Sequence, residues 1–93
     1  MCMSDDQVSA IARLAAELTP VREMAALLGI DEDALRLELS DRSSAARAAY
    51  FRAKAETANR LRRQELEFAR LGSPLAVQLT GEYLREMTSD EDF

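Results

Sequence analysis

The sequence predicts an all-α fold. Three observations lead there: apolar residues recur at steps of three and four, Ala, Leu, Glu and Arg dominate, and three Gly and two Pro are too few to turn a chain of hairpins. At 93 residues the chain is one small domain, 1–93. With 47% apolar residues but only 5% aromatics and no Trp, its core must be mainly Ala, Leu, Met, Val and Ile. A domain this small buries a modest share of its surface, which favours assembly with further copies.

The first part, residues 4–40, reads as three short helices. Ser4 caps the first and Gln7 completes a capping box, while Asp5 and Asp6 suit the positive end of the helix dipole. Val8, Ile11, Ala12, Leu14, Ala15 and Leu18 form its apolar stripe. Thr19-Pro20 stops that helix and starts the second, with Thr19 as cap and Pro20 at the first helical position. Val21, Met24, Ala25, Leu27 and Leu28 face inward, Gly29 ends the helix, and Ile30 is a buried turn residue. Asp31 caps the third helix, whose apolar positions are Ala34, Leu35, Leu37 and Leu39.

Residues 43–87 read as a long helix and a returning one, a helical hairpin. Ser43 or Ser44 caps the long helix, which meets no Gly or Pro before Leu71; Gly72 stops it. Ser73-Pro74 repeats the cap-then-proline start, and a fifth helix follows through Leu75, Ala76, Leu79, Tyr83 and Leu84 to about Met87, weakened by Gly81. Residues 88–93, from Thr88 to Phe93, read as a mobile acidic tail.

Residues 21 to 39 have the spacing of a helix-turn-helix. That motif needs a small residue where the helices cross, a Gly in the turn, and apolar residues on both sides; Ala25, Gly29, Met24, Leu28, Ile30 and Leu35 supply them. The surface chemistry points elsewhere. From Asp31 to Asp41 there are five acids and one base, Arg36, and a recognition helix with such an N-terminal turn repels phosphate.

The positive charge lies further on. The chain has 12 Lys and Arg against 17 Asp and Glu, net −5, yet Arg42 to Arg63 holds seven cations and one acid, Glu56. On the long helix, Tyr50, Ala53, Thr57, Leu61, Gln64, Phe68 and Leu71 form one seam, and Ala48, Phe51, Ala55, Ala58, Leu66 and Ala69 a second, which implies two packing partners. Arg52, Arg63 and Arg70 share the polar side with Glu56 and Glu67, spaced for the pairs Arg52–Glu56, Glu56–Arg60 and Arg63–Glu67. A strip of Arg47, Arg52, Lys54, Arg60, Arg62 and Arg63 is the candidate phosphate-binding surface; the plainer reading is a solvated helix face.

No residues assemble into catalytic chemistry. The sequence has no His and a lone Cys2, no phosphate-binding Gly loop, no nucleophile–base pair, and an Asp31-x-Asp33 that lacks the rest of a calcium loop. The sequence therefore predicts a non-enzyme without metal or cofactor. With no spanning apolar run and no basic leader, the expected location is the cytoplasm.

Ala25–Gly29–Ile30, then Tyr50, Arg52, Lys54, Glu56, Leu61-Arg62-Arg63, Phe68-Ala69 and Gly72-Ser73-Pro74, together resemble small phage and mobile-element proteins of the terminase small subunit type. The resemblance spans about residues 20 to 87. It implies DNA recognition by the first part and oligomerisation through long helices. Two functional expectations follow. The first is an oligomeric helix-turn-helix protein that binds DNA mainly by phosphate contacts. The alternative is a helical interaction module that keeps the shape, does not bind DNA, and meets a protein partner through its acidic third helix.

Overall fold

The computed structural model describes residues 3–72 and 75–91, together with the backbone but not the side chains of 75–80. Cys2, Ser73-Pro74 and Asp92-Phe93 lie outside the described residues, as does the Ala69 side chain. Five helices follow in order: α1 (Asp5–Ala16), α2 (Val21–Leu28), α3 (Glu32–Ser40), α4 (Ala45–Leu71) and α5 (Leu75–Ser89); the described residues contain no strand.

Local capping rules set most helix ends. Ser4 Oγ accepts the Gln7 amide at 3.2 Å and the Ser4 amide donates to Gln7 Oε1 at 3.0 Å, closing the expected box. Asp31 accepts the Ala34 amide at 3.0 Å. Ser44, rather than Ser43, accepts the Arg47 amide at the start of α4, at 3.3 Å. Ser43 instead donates its amide and hydroxyl to Asp41, which holds that carboxyl below its ordinary value. Gly29 and Gly72 end α2 and α4 at φ 67° and 75°, where a side chain would be strained.

Three helix boundaries depart from the sequence reading. First, α1 ends at Ala16, and Leu18 takes a left-handed φ of 59° so that the Thr19 amide reaches the Leu14 carbonyl at 3.0 Å. Second, Pro20 occupies the cap position of α2 in place of Thr19, and no local side chain caps that helix. Third, α5 runs through Gly81 to Ser89, and Asp90 and Glu91 beyond it are docked on the body. The acidic segment expected to stay in solvent is thus structured as far as Glu91, because its carboxylates meet cations on three helices.

The core lies where α1 packs along the first half of α4, with α2, α3 and the end of α5 around it. Ile11, Ala15, Val21, Met24, Leu35, Leu39, Tyr50 and Met87 are buried. Met87 is a core residue that the sequence reading left at the end of its helix. Leu27 and Leu37, expected inside, are 68% and 72% exposed. On helices of eight and nine residues the buried stripe is too narrow to take in every apolar position.

Thr57 fixes the register of α1 on α4. Its hydroxyl donates to the Ala16 carbonyl at 2.8 Å, at the last residue of α1, and its side chain is buried. Beyond this point α4 runs on to Leu71, roughly 20 Å of helix at 1.5 Å per residue, into an arm that α5 accompanies. The molecule measures 48 × 20 × 18 Å as a result. In the arm the predicted seams thin out: Leu61 and Phe68 are half-buried, while Leu66 and Leu71 are 65% and 78% exposed.

Replacing Thr57 with Val keeps the shape but leaves the Ala16 carbonyl without its donor in a buried setting. Thermal unfolding followed by circular dichroism should show Thr57→Val less stable by about 1–2 kcal/mol, with Thr57→Ser closer to the parent. Equal stability of the Val and Ser variants would show that the hydroxyl contributes nothing to the α1–α4 junction.

Candidate nucleic-acid interface

The six cations of the predicted strip fall into three groups. Arg47 and Lys54 are used inside the fold. Arg47 donates from Nη1 to the Leu39 carbonyl at 2.7 Å, one residue before the end of α3, and its guanidinium lies 5.1 Å from the Phe51 ring centroid. A cation there answers unpaired carbonyls and the negative end of the helix dipole. Lys54 is only 15% exposed; its ammonium pairs with Glu91 and donates to the Thr88 hydroxyl at 3.1 Å. Within the chain the Lys54 charge is thus met by an acid, and the Arg47 guanidinium is held by a carbonyl and a ring.

Arg52 forms the expected surface pair with Glu56 at 3.0 Å, with both side chains well exposed. Arg60, Arg62 and Arg63 form the third group. They are exposed on the arm and have no ion-pair partner among the described residues. Glu67, expected opposite Arg63, pairs instead with Arg70 at 3.3 Å, and Glu56 with Arg52 rather than Arg60. Of the six predicted cations, the three without an ion pair among the described residues lie on the arm, where Arg60 and Arg63 line one shallow hollow with Phe68.

A second cluster was not foreseen. Asp90 sits between the starts of α2 and the middle of α3. Its Oδ2 accepts the Arg22 amide at 3.1 Å, and its Oδ1 accepts Arg22 Nη1 at 3.4 Å and Arg36 Nη2 at 3.1 Å. Its main-chain carbonyl accepts Arg36 Nη1 at 2.7 Å. Arg22 also reaches Glu86 at 3.0 Å, and Arg36 reaches Glu32 at 3.0 Å. One residue on, Glu91 takes the Tyr50 hydroxyl at 3.3 Å as well as Lys54.

The cluster shifts its own ionisations. Burial works to raise the Asp90 carboxyl, but the Arg22 amide, the Arg36 guanidinium and both positive charges outweigh it and hold the group below its ordinary value. Burial pushes the Tyr50 phenol up, and the Glu91 charge and hydrogen bond push it further. Burial opposes the Arg36 charge, but Glu32 and Asp90 more than compensate, so Arg36 stays ionised. The only sequence signal for this cluster was composition: acids close after a predicted helix and cations widely separated before it.

Among the described residues no group of His, Cys, Asp and Glu could hold a metal ion, and no helix is long and apolar enough to cross a membrane.

Because the folded Asp90 titrates below its unfolded value of 3.8, its stabilisation is complete above that value. It is lost as pH falls through the lower folded value. Asp90→Asn should therefore lower stability at pH 7 by about 1–2 kcal/mol, with the gap to the parent closing in acid. Melting curves of both chains across the acid range test this; a gap independent of pH would show that the Asp90 charge is not what stabilises the contact.

No protein-family model, curated protein or solved structure matches this chain, so a functional reading rests on its own residues.

Proposed function

We propose that the chain is an oligomeric helix-turn-helix protein of the terminase small subunit kind, from a phage or mobile element, that holds DNA by its phosphate backbone. One observation carries this reading: Arg60, Arg62 and Arg63 stand exposed on the arm without an ion-pair partner among the described residues, while Arg36 and Lys54 nearer the core are paired with acids. Three guanidiniums within one turn of an exposed helix suit charge-assisted contacts to phosphates, which position DNA without reading its sequence. The α2–turn–α3 pair acts in this reading as a support, since the exposed positions of α3 are Glu32, Asp33, Leu37 and Ser40.

The arm also supports the oligomer. Beyond Thr57 only two helices lie side by side, and two helices alone do not bury both seams of α4. Leu66, Leu71 and Tyr83 are left 65%, 78% and 58% exposed. Further copies packed against both sides of the arm cover them.

The alternative is an interaction module that does not bind DNA. It is favoured by the outer surface of α3, where Leu37 is exposed among Glu32, Asp33 and Ser40. A basic protein surface fits that chemistry better than a phosphate does.

A titration of the chain against a labelled generic duplex separates the two. The parent should bind at low salt and weaken steeply as salt rises. Arg60→Glu, Arg62→Glu and Arg63→Glu together should weaken binding by at least about tenfold at unchanged helical content. Equal binding by this triple variant removes the arm as the DNA site, and no binding by the parent at low salt favours the interaction module.

A further inference from the structure

The Asp90 cluster has the donor set of an oxyanion site. One carboxylate is held by a main-chain amide in the first turn of α2 and by two guanidiniums, Arg22 and Arg36. An amide at the positive end of a helix together with paired arginines is how proteins take up phosphate oxygens. Lys54, with Glu91 seated on it, extends the same cationic surface onto α4.

Two features make the seated carboxylates exchangeable. The last core anchor is Met87, fully buried three residues before Asp90, and α5 ends at Ser89. Asp90 and Glu91 can therefore leave while the helix stays packed. The Arg22 side chain is 51% exposed, so the site opens to solvent on one side. Once the two acids leave, Arg22 and Arg36 keep their pairs with Glu86 and Glu32, and the Arg22 amide remains at the positive end of the helix dipole.

We propose that Arg22, its main-chain amide, Arg36 and Lys54 form a second binding site for the phosphates of duplex DNA, and that Asp90 and Glu91 occupy it in the free chain. The ligand class rests on the DNA-binding reading above. The chain's own acids and the duplex compete for one set of donors, so the segment after α5 restrains DNA binding by the body. The arm arginines are outside this competition.

The test compares duplex binding by the parent and by the doubly neutralised Asp90→Asn/Glu91→Gln chain across a salt series. A control, Asp5→Asn/Asp6→Asn, removes the same charge from the exposed first turn of α1. The Asp90/Glu91 variant should bind severalfold more tightly, with a salt dependence steeper by up to about three, one for each of Arg22, Arg36 and Lys54. The control should bind close to the parent. Unchanged affinity and salt slope, or an equal gain in the control, overturns the proposal; the latter would mean that net charge alone matters.

A measurement on the unaltered chain keeps the test independent of how well the variant folds. Added duplex should shift the Arg22 amide resonance, whose proton Asp90 now accepts; an Arg22 amide indifferent to saturating duplex overturns the competition. The arm reading fails separately, through the Arg60/Arg62/Arg63 variant. A chain that binds only after Asp90 and Glu91 are neutralised supports the restraint, and one that binds in neither form overturns both readings.

Discussion

The first turn of α2 has no capping side chain of its own, and much of the molecule's architecture follows from that shortage. Pro20 occupies the cap position and offers no side-chain acceptor, so the Arg22 amide would point at solvent unpaired. Asp90 supplies the acceptor from 68 residues away. To do so, α5 must return along α4 as far as the base of the domain. That return brings Met87 into the core and Glu91 onto Tyr50 and Lys54. Helix capping, usually a local matter, here ties Asp90 to α2 across the chain, and ion pairs tie Asp90 and Glu91 to α3 and α4.

The same arrangement explains how a chain of net charge −5 keeps a cation-rich helix without a uniformly basic surface. Charge near the core is matched one group at a time: Arg47 to the end of α3, Lys54 to Glu91, and Arg22 and Arg36 to Asp90 and one further acid each. Among the described residues no buried polar side-chain atom lacks a hydrogen bond. Partly buried ions must be paired to be tolerated, whereas exposed ones need not be. Burial therefore decides which cations remain available.

What the sequence made legible was whatever is settled within about one helical turn. The Ser4–Gln7 box, the Asp31 cap, the glycines at 29 and 72, and the buried Met24 all depend on neighbours three to five residues away. What it hid was set by distant partners. Nothing local distinguishes Lys54 from Arg60, and only the return of α5 makes one a buried pair and leaves the other exposed. Nothing local marks Leu37 as exposed and Leu39 as buried, since that depends on which stripe of α3 meets the core. The acids after Met87 looked like a solvated run because their partners, Arg22 and Arg36, lie more than fifty residues upstream. The helices were readable, and the sorting of the candidate site was not.

The two ends of the molecule obey opposite rules. In the body, five helices meet, Arg22, Arg36 and Lys54 are paired with acids, and no buried side-chain polar atom among the described residues lacks a hydrogen bond. In the arm, α4 outruns α1 after Thr57, so one partner helix must do what three do at the base. Two helices side by side cover only the strip between them, and this limit applies to apolar and charged groups alike. It leaves Leu66 and Leu71 in contact with water and Arg60, Arg62 and Arg63 without an ion pair among the described residues. An arm with both deficits is suited to be completed from outside, its apolar face by another helix and its cations by an anion. On the helical wheel the two demands alternate around α4: Arg63 projects away from the seam that holds Leu71, Arg60 flanks that seam, and Arg62 lies on the side of Leu66.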